Sequence, residues 1–209
     1  MKVVEIFKSL QGEGIHIGAP TVFVRFAGCN LRCDWCDTKY AWEGGEEKTA
    51  DAIIEEVRGH GVKRVCLTGG EPMLQKGIVA LVNRMLNCGL DVTLETNGTC
   101  ELEELPCTER FTMSMDVKCP SSGVSEKTNA SNVELLGPTD QLKFIVADKS
   151  DYDYAKKYLK ENPANCTIVM TPVGGLDLKW LAEAVLKDKL DARVLPQLHK
   201  MIWGDERRR

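Results

Sequence analysis

Three thiols fall within eight residues in the run Cys29-Asn30-Leu31-Arg32-Cys33-Asp34-Trp35-Cys36. Three thiolates on one short loop can close around a single soft metal centre. Two centres answer to that spacing. An iron–sulfur cubane is normally held by four cysteines, so three would leave one iron with an open position, as catalytic metal sites have. A zinc ion would need a further ligand from a distance, such as His16 or Cys66. The chain holds nine cysteines and only three histidines, His16, His60 and His199. Cys66, Cys88, Cys100, Cys107, Cys119 and Cys166 share no tight spacing and read as core or surface thiols. A second run, Thr68-Gly69-Gly70-Glu71-Pro72, sets two glycines side by side. Backbone free of side chains can approach a ligand closely, although the same residues also suit a turn that opens a helix.

These residues need a scaffold. Strand-like runs rich in β-branched residues recur at 21–26, 64–67, 91–94, 111–116, 141–146, 167–170 and 192–195. Several read as continuously apolar, which predicts strands buried on both faces. A helical pattern at 49–58 carries Ile53, Ile54 and Val57 on one face behind Thr49 as N-cap. Another at 75–87 carries Ile78, Leu81, Val82, Met85 and Leu86 and stops at Gly89. Residues 152–159 and 178–186 also read as helices, the latter preceded by Asp177. Strands alternating with helices predict parallel βαβ units. A complete (β/α)8 barrel usually takes ~250 residues. This chain has 209, and no helical pattern follows Leu94. The expected architecture is therefore α/β, a truncated, incomplete (βα) barrel forming one domain over 1–209. Ligands of such folds sit at the carboxyl ends of the strands. Gly28-Cys29, Thr68 to Pro72, Glu95-Thr96-Asn97-Gly98, Lys118 and Thr171-Pro172 each follow an expected strand, which predicts one shared pocket.

Composition narrows the function classes. Apolar residues are 43% and charged residues 28%, as in ordinary globular chains. Lys and Arg number 27 against 31 Asp and Glu, a net charge of −4. That balance argues against gripping nucleic acid through overall charge. The longest apolar run is five residues, Ile78 to Val82, where a membrane span needs ~20. The opening residues show no signal-peptide core, so a cytoplasmic location is expected, with reduced thiols rather than a disulfide framework. Arg207, Arg208 and Arg209 read as a solvated tail.

The cysteine run after the first strand-like segment, with Thr68 to Pro72 after the second, resembles the radical S-adenosylmethionine (SAM) superfamily and its glycine-glycine-glutamate-proline motif. A narrower resemblance lies in Ser9-Leu10-Gln11-Gly12-Glu13-Gly14, Val24-Arg25-Phe26-Ala27-Gly28-Cys29, Cys36-Asp37-Thr38-Lys39 and Gln197-Leu198-His199-Lys200. In their order, from residue 9 to residue 200, these look like the 7-carboxy-7-deazaguanine synthase family. The resemblance implies a radical SAM lyase that contracts the ring of 6-carboxy-5,6,7,8-tetrahydropterin with loss of ammonia. The product feeds 7-deazapurine (queuosine or archaeosine) biosynthesis. The implied cofactors are a [4Fe-4S] cluster on Cys29, Cys33 and Cys36, SAM regenerated in each turnover, and Mg2+ on the hydroxyl of Thr38.

The same resemblance assigns the substrate to Leu10, Gln11, Gly12, Glu13, Arg25, Thr68, Gln197 and His199. Arg25 offers a planar donor fork suited to the substrate carboxylate, and Glu13 accepts from pterin N–H groups. SAM falls to Trp35, Cys36, Asp37 and Gly70, to Asp116, Val117 and Lys118, and to Met170, Thr171, Pro172 and Val173. Asp116-Val117-Lys118 departs from the family's Ser-Pro-Lys, and Thr171-Pro172 from its Gln-Pro. Expected partners are the pterin, an electron donor such as a flavodoxin or ferredoxin, and a second copy of the chain covering an exposed sheet edge. No nucleic acid and no membrane are expected to bind. Two rivals stay open on sequence: an activase that forms a glycyl radical on a partner protein, and a non-catalytic metal-binding module.

Overall fold

The computed structural model describes Met1–Arg209. Its strands alternate in chemistry with a period of two, and that alternation decides the architecture. In β2 (Pro20–Phe26), β4 (Arg64–Gly69), β5 (Asp91–Thr96), β6 (Phe111–Val117), β7 (Gln141–Val146) and β8 (Thr167–Pro172), every second residue joins one apolar core. Val22, Leu67, Leu94, Met115 and Phe144 are examples. The residues between them, such as Thr93, Ser114, Gln141 and Lys143, are buried but polar. Successive side chains of a strand point to opposite faces, so the sheet has an apolar outer face and a polar inner one. The strands are buried on both faces, as expected, but the inner face is largely polar where continuously apolar runs are expected.

The outer face is covered by α1 (Ala50–Gly59), α2 (Ile78–Asn87), α3 (Lys149–Glu161) and α4 (Lys179–Asp188), whose buried residues join the same core. Thr49 caps α1 by accepting from Ala52 N. The second helix starts three residues later than expected, because Gln75 is still extended and Gly77, at φ +91°, stands left-handed as its N-cap. Gly89, at φ +82°, follows the end of α2, a left-handed turn residue that ends a helix at little steric cost. Asp148, not foreseen, caps α3 through Asp151 N and starts that helix early. Asp177 does not cap α4; Leu178 stands there without a side-chain bond.

Nine strands form one sheet in the order β3-β1-β2-β4-β5-β6-β7-β8-β9, where β1 is Lys2–Leu10, β3 is Glu46–Glu47 and β9 is Arg193–Val194. The strands from β2 to β9 are parallel. No helix links β5 to β6, and only 3-10 turns link β6 to β7. This is the expected open barrel. Both edge strands are two residues long, and edges so short already resist pairing. The homodimer inferred from an exposed edge loses that reason. No helix is long and apolar enough to cross a membrane.

Two strands, β1 and the two-residue β3, were not anticipated. β1 (Lys2–Leu10) runs antiparallel to β2, with a register shift between Val3 and Glu5. A bulge inserts a residue and re-aims the side chains beyond it. Val3 therefore faces the core, while Glu5 pairs with Arg25 on the inner face. The broken alternation hid the strand. Because β1 descends where the others rise, its loop into β2, residues 11–19, lies at the amino ends of the parallel strands. That loop turns inward: Ile15 N donates to Gln141 Oε1 at 2.7 Å. The chain's last helix, α5 (Leu198–Trp203), follows a segment tied to the same loop by Leu198 N to Gly12 O at 2.9 Å.

Candidate active site

The polar inner face encloses a cavity of about 450 Å3. Its rim toward the carboxyl ends is the cysteine loop. Trp35 anchors this loop: Nε1 donates to Ser121 Oγ at 3.1 Å, and Ser121 Oγ donates to the buried Asp151 at 2.5 Å. The Lys118 ammonium lies 5.4 Å above the indole ring. Asp34 N donates to Ser122 O, which pins the middle of the loop to the turn after β6. Cys29, Cys33 and Cys36 line the cavity, and none of the other six cysteines does. All three are free thiols, and Leu31 N already donates to Cys29 Sγ at 3.4 Å. Burial pushes the Cys33 thiol up, with the Lys118 charge acting against it. Neither distant zinc ligand considered above lines the cavity: Cys66 is buried, and His16 bonds Thr112 instead. The donor set is three thiols and no fourth, which fits a cluster with one open iron.

The glycine pair meets this loop backbone to backbone. Gly70 N donates to Phe26 O at 3.0 Å, and Glu71 N donates to Gly28 O at 2.7 Å. A Cβ on Gly70 would lie 2.0 Å from Gly28 O. Glu71 fixes the turn from beneath, accepting from Met73 N, Thr96 Oγ1 and Asn97 N at 2.7–3.0 Å. Burial pushes its carboxyl up to about 6 despite those donors. Gly70→Ala must therefore separate two loops that share the cavity rim. It is expected to cost about 1–3 kcal/mol of stability, the usual penalty of overpacking. Calorimetry should show a Tm several degrees lower.

The opposite wall is built from the loop that rises from the amino ends. Gly12 is open because the His199 ring occupies its side: a Cβ there would lie 2.1 Å from His199 Nδ1. Glu13 Oε2 receives Lys143 Nζ at 2.8 Å, and Oε1 receives Gln197 Nε2 at 2.8 Å. Burial would raise the Glu13 carboxyl, but the Lys143 ammonium overrides it and holds it at about 2. Gln11 Nε2 and Thr68 Oγ1 both donate to Glu95, at 3.4 and 2.9 Å. Arg25 Nε donates to Glu5 Oε1 at 2.9 Å, and Tyr40 OH donates to the same oxygen at 2.9 Å. Glu13, Asp37 and His199 present ligand atoms within 4.8 Å of one another, so three separate segments converge there.

The chain's last residues belong to this wall. Gly204 to Arg209 all line the cavity. Arg207 lies 3.8 Å over the Tyr40 ring, and Arg208 Nε reaches Glu5 Oε2 at 3.3 Å. The three arginines stay exposed, as expected of a solvated tail, but Arg207 and Arg208 also reach Tyr40 and Glu5 at the cavity rim.

The eight residues expected at the substrate all line the cavity. So do Thr38, Trp35, Asp37, Gly70, Asp116, Lys118 and Val173. Val117 and Met170 do not: their positions in the strand period turn them into the outer core. Thr171 and Pro172 are buried in β8 outside the cavity lining. Among the lining residues given no role from the sequence are Tyr40, Glu95 and Lys143, and Glu5 stands behind them as the acceptor for Arg25 and Tyr40. Lys143 had a signal, a charge between Leu142 and Phe144 in an apolar strand. Glu95 stood among the polar residues that end a strand, without a role.

The comparisons with known proteins agree among themselves. The radical SAM superfamily profile matches residues 23–134. A 7-carboxy-7-deazaguanine synthase from Thermoplasma acidophilum is 38% identical over 205 residues, covering 98% of this chain and 98% of the relative. One from Methanospirillum hungatei is 42% identical over 203 residues, covering 97% and 85%. The crystal structure of QueE from Escherichia coli superimposes with a TM-score of 0.78 at 23% identity, covering 95% of this chain and 94% of that one.

Proposed function

The chain belongs to the 7-carboxy-7-deazaguanine synthase family of radical SAM enzymes, and from that premise we propose how its residues divide the cavity among cluster, SAM, pterin and Mg2+. The reading is a ring contraction of 6-carboxy-5,6,7,8-tetrahydropterin with loss of ammonia. One observation carries it. The cavity lining brings three thiols together with a guanidinium and an ionised carboxylate.

Cys29, Cys33 and Cys36 hold the cluster. Trp35, Asp37, Gly70, Asp116 and Lys118 surround SAM next to it. When bound, the cluster supplies an open iron for SAM and the electron that starts the radical reaction, delivered by a flavodoxin or ferredoxin. The chain's own task is to grip the pterin at both ends. Arg25 gives its Nε to Glu5, which leaves the terminal nitrogens free to meet the pterin carboxylate as a fork. Tyr40 and Arg207 flank that end. Glu13 faces the other end. Each carboxylate oxygen has more than one lone-pair direction, so Glu13 can accept pterin N–H groups while keeping Lys143 and Gln197. Gln197 and His199 close the far side. Thr38 precedes a 3-10 turn, yet its hydroxyl makes no capping bond. That leaves a hard oxygen for Mg2+, which commonly takes its other positions from substrate and water.

The deciding experiment is anaerobic incubation of the reconstituted enzyme with the carboxylated pterin, SAM, Mg2+ and a reductant, followed by mass spectrometry. The expected product is the carboxylated deazapurine with ammonia released and SAM recovered. Stoichiometric SAM consumption with an unaltered pterin would overturn the assignment.

A further inference from the structure

Lys143 is assigned no contact with pterin, SAM or cluster above, yet only 4% of its side chain is exposed. Its Nζ lies 2.8 Å from Glu13 Oε2 and 3.3 Å from Asp116 Oδ1. The two carboxylates come from different elements, the inward loop after β1 and the end of β6. Asp116 also receives Lys118 Nζ at 2.9 Å, and Lys118 lies over Trp35. On the other side, Glu13 receives Gln197 from the segment before α5. Lys143 is thus the middle of a line of contacts from that closing segment to the cysteine loop. A buried ion pair seldom stabilises a fold more than a well-packed apolar residue would. A lysine at an inward, buried position of β7 therefore points to a task in the cavity.

We propose that Lys143 is a positioning residue, which holds the Glu13 carboxylate ionised and aimed at the bound pterin. This rests on the reading of Glu13 as a pterin contact. The chemistry comes from the surroundings. Around the pair stand Asp116, Glu95, Cys66, Lys118, Asp37 and His199. Without the ammonium, Glu13 would be a buried carboxyl near Asp116 and Glu95, and desolvation and like charge would return its proton. A protonated carboxyl presents a donor where the pterin N–H groups need acceptors.

The test measures pterin affinity by calorimetry on the anaerobic, SAM-bound enzyme, with iron content and SAM affinity recorded alongside. Lys143→Met is expected to weaken pterin binding about 30-fold or more, as removal of one partner of a buried charge pair does. SAM affinity should fall much less than pterin affinity, because Asp116 keeps Lys118 as its partner, and Lys143→Arg should recover most of the loss. In a Glu13→Gln background, Lys143→Met should add no more than about twofold. The inference is overturned if Lys143→Met binds pterin like the wild type. Equal losses in both backgrounds, or no rescue by arginine, overturn it too. Should Lys143→Met alone not fold, the double variant, which lacks both charges, is compared with Glu13→Gln: equal affinities support the inference, and a further drop of about tenfold or more sinks it. A Glu13→Gln protein with unchanged pterin affinity removes Glu13 from the site, and this inference with it. Product formation by the wild type judges the reaction itself.

Discussion

Cys33→Ala protein, reconstituted without oxygen, is expected to carry no four-iron cluster and to leave SAM uncleaved. Two thiols remain on the loop after this change, and the cavity holds no other cysteine to replace the third. Cys119 follows Lys118 in sequence, but it is fully buried in the outer core. Burial pushes its thiol far up, so it supplies no thiolate at neutral pH. The fold should survive, because the loop is held by Trp35, Asp34 and Gly28 through contacts that do not involve Cys33. Iron and sulfide analysis, visible absorption and 5′-deoxyadenosine formation read the effect, and thermal melting checks the fold. A variant that kept iron and sulfide at wild-type levels would break the assignment of the thiols.

The second large effect is expected at Arg25. Arg25→Ala should leave cluster assembly and SAM binding intact and reduce kcat/KM for the carboxylated pterin by about 100- to 1000-fold. That corresponds to about 3–4 kcal/mol, the range for one partner of a buried charge pair. Arg25 also supports Glu5, whose side chain is 1% exposed, so a structural origin of the loss has to be separated from recognition. The geometry separates the two. Glu5 keeps Tyr40, Arg207 and Arg208 when Arg25 is removed. A pterin without its carboxylate makes no use of the guanidinium fork. The variant should therefore handle that analogue as the wild type does. Equal losses on both substrates would show that Arg25 acts through Glu5 and not on the carboxylate.

The parts of the site legible in sequence are those whose residues are neighbours along the chain. The thiol spacing, the glycine pair and the loop Gln11 to Gly14 each carry their geometry locally. The inner wall was not legible, because it is assembled across strands. Glu5 faces inward only because of the bulge after Val3. Lys143 matters only because the inward loop delivers Glu13 to it. The tail arginines matter because Tyr40 and Glu5 lie beneath them. The strands themselves were found where β-branched residues cluster. Their two chemical faces were missed because short apolar runs concealed the period of two. That same period explains why Val117 and Met170, one step from inward positions, turn into the core.

The separation of an oily exterior layer from a charged lumen gives the molecule two independent jobs on one sheet. On β5, β6 and β7, one alternate set of positions, with Leu94, Met115 and Phe144, secures the barrel. The other set, with Glu95, Asp116 and Lys143, lines its cavity. A descendant with a different guest could be reached by rewriting the lumen set alone. Since the lumen charges here lean on one another, such rewriting would have to proceed by exchanging whole ion pairs, not single letters.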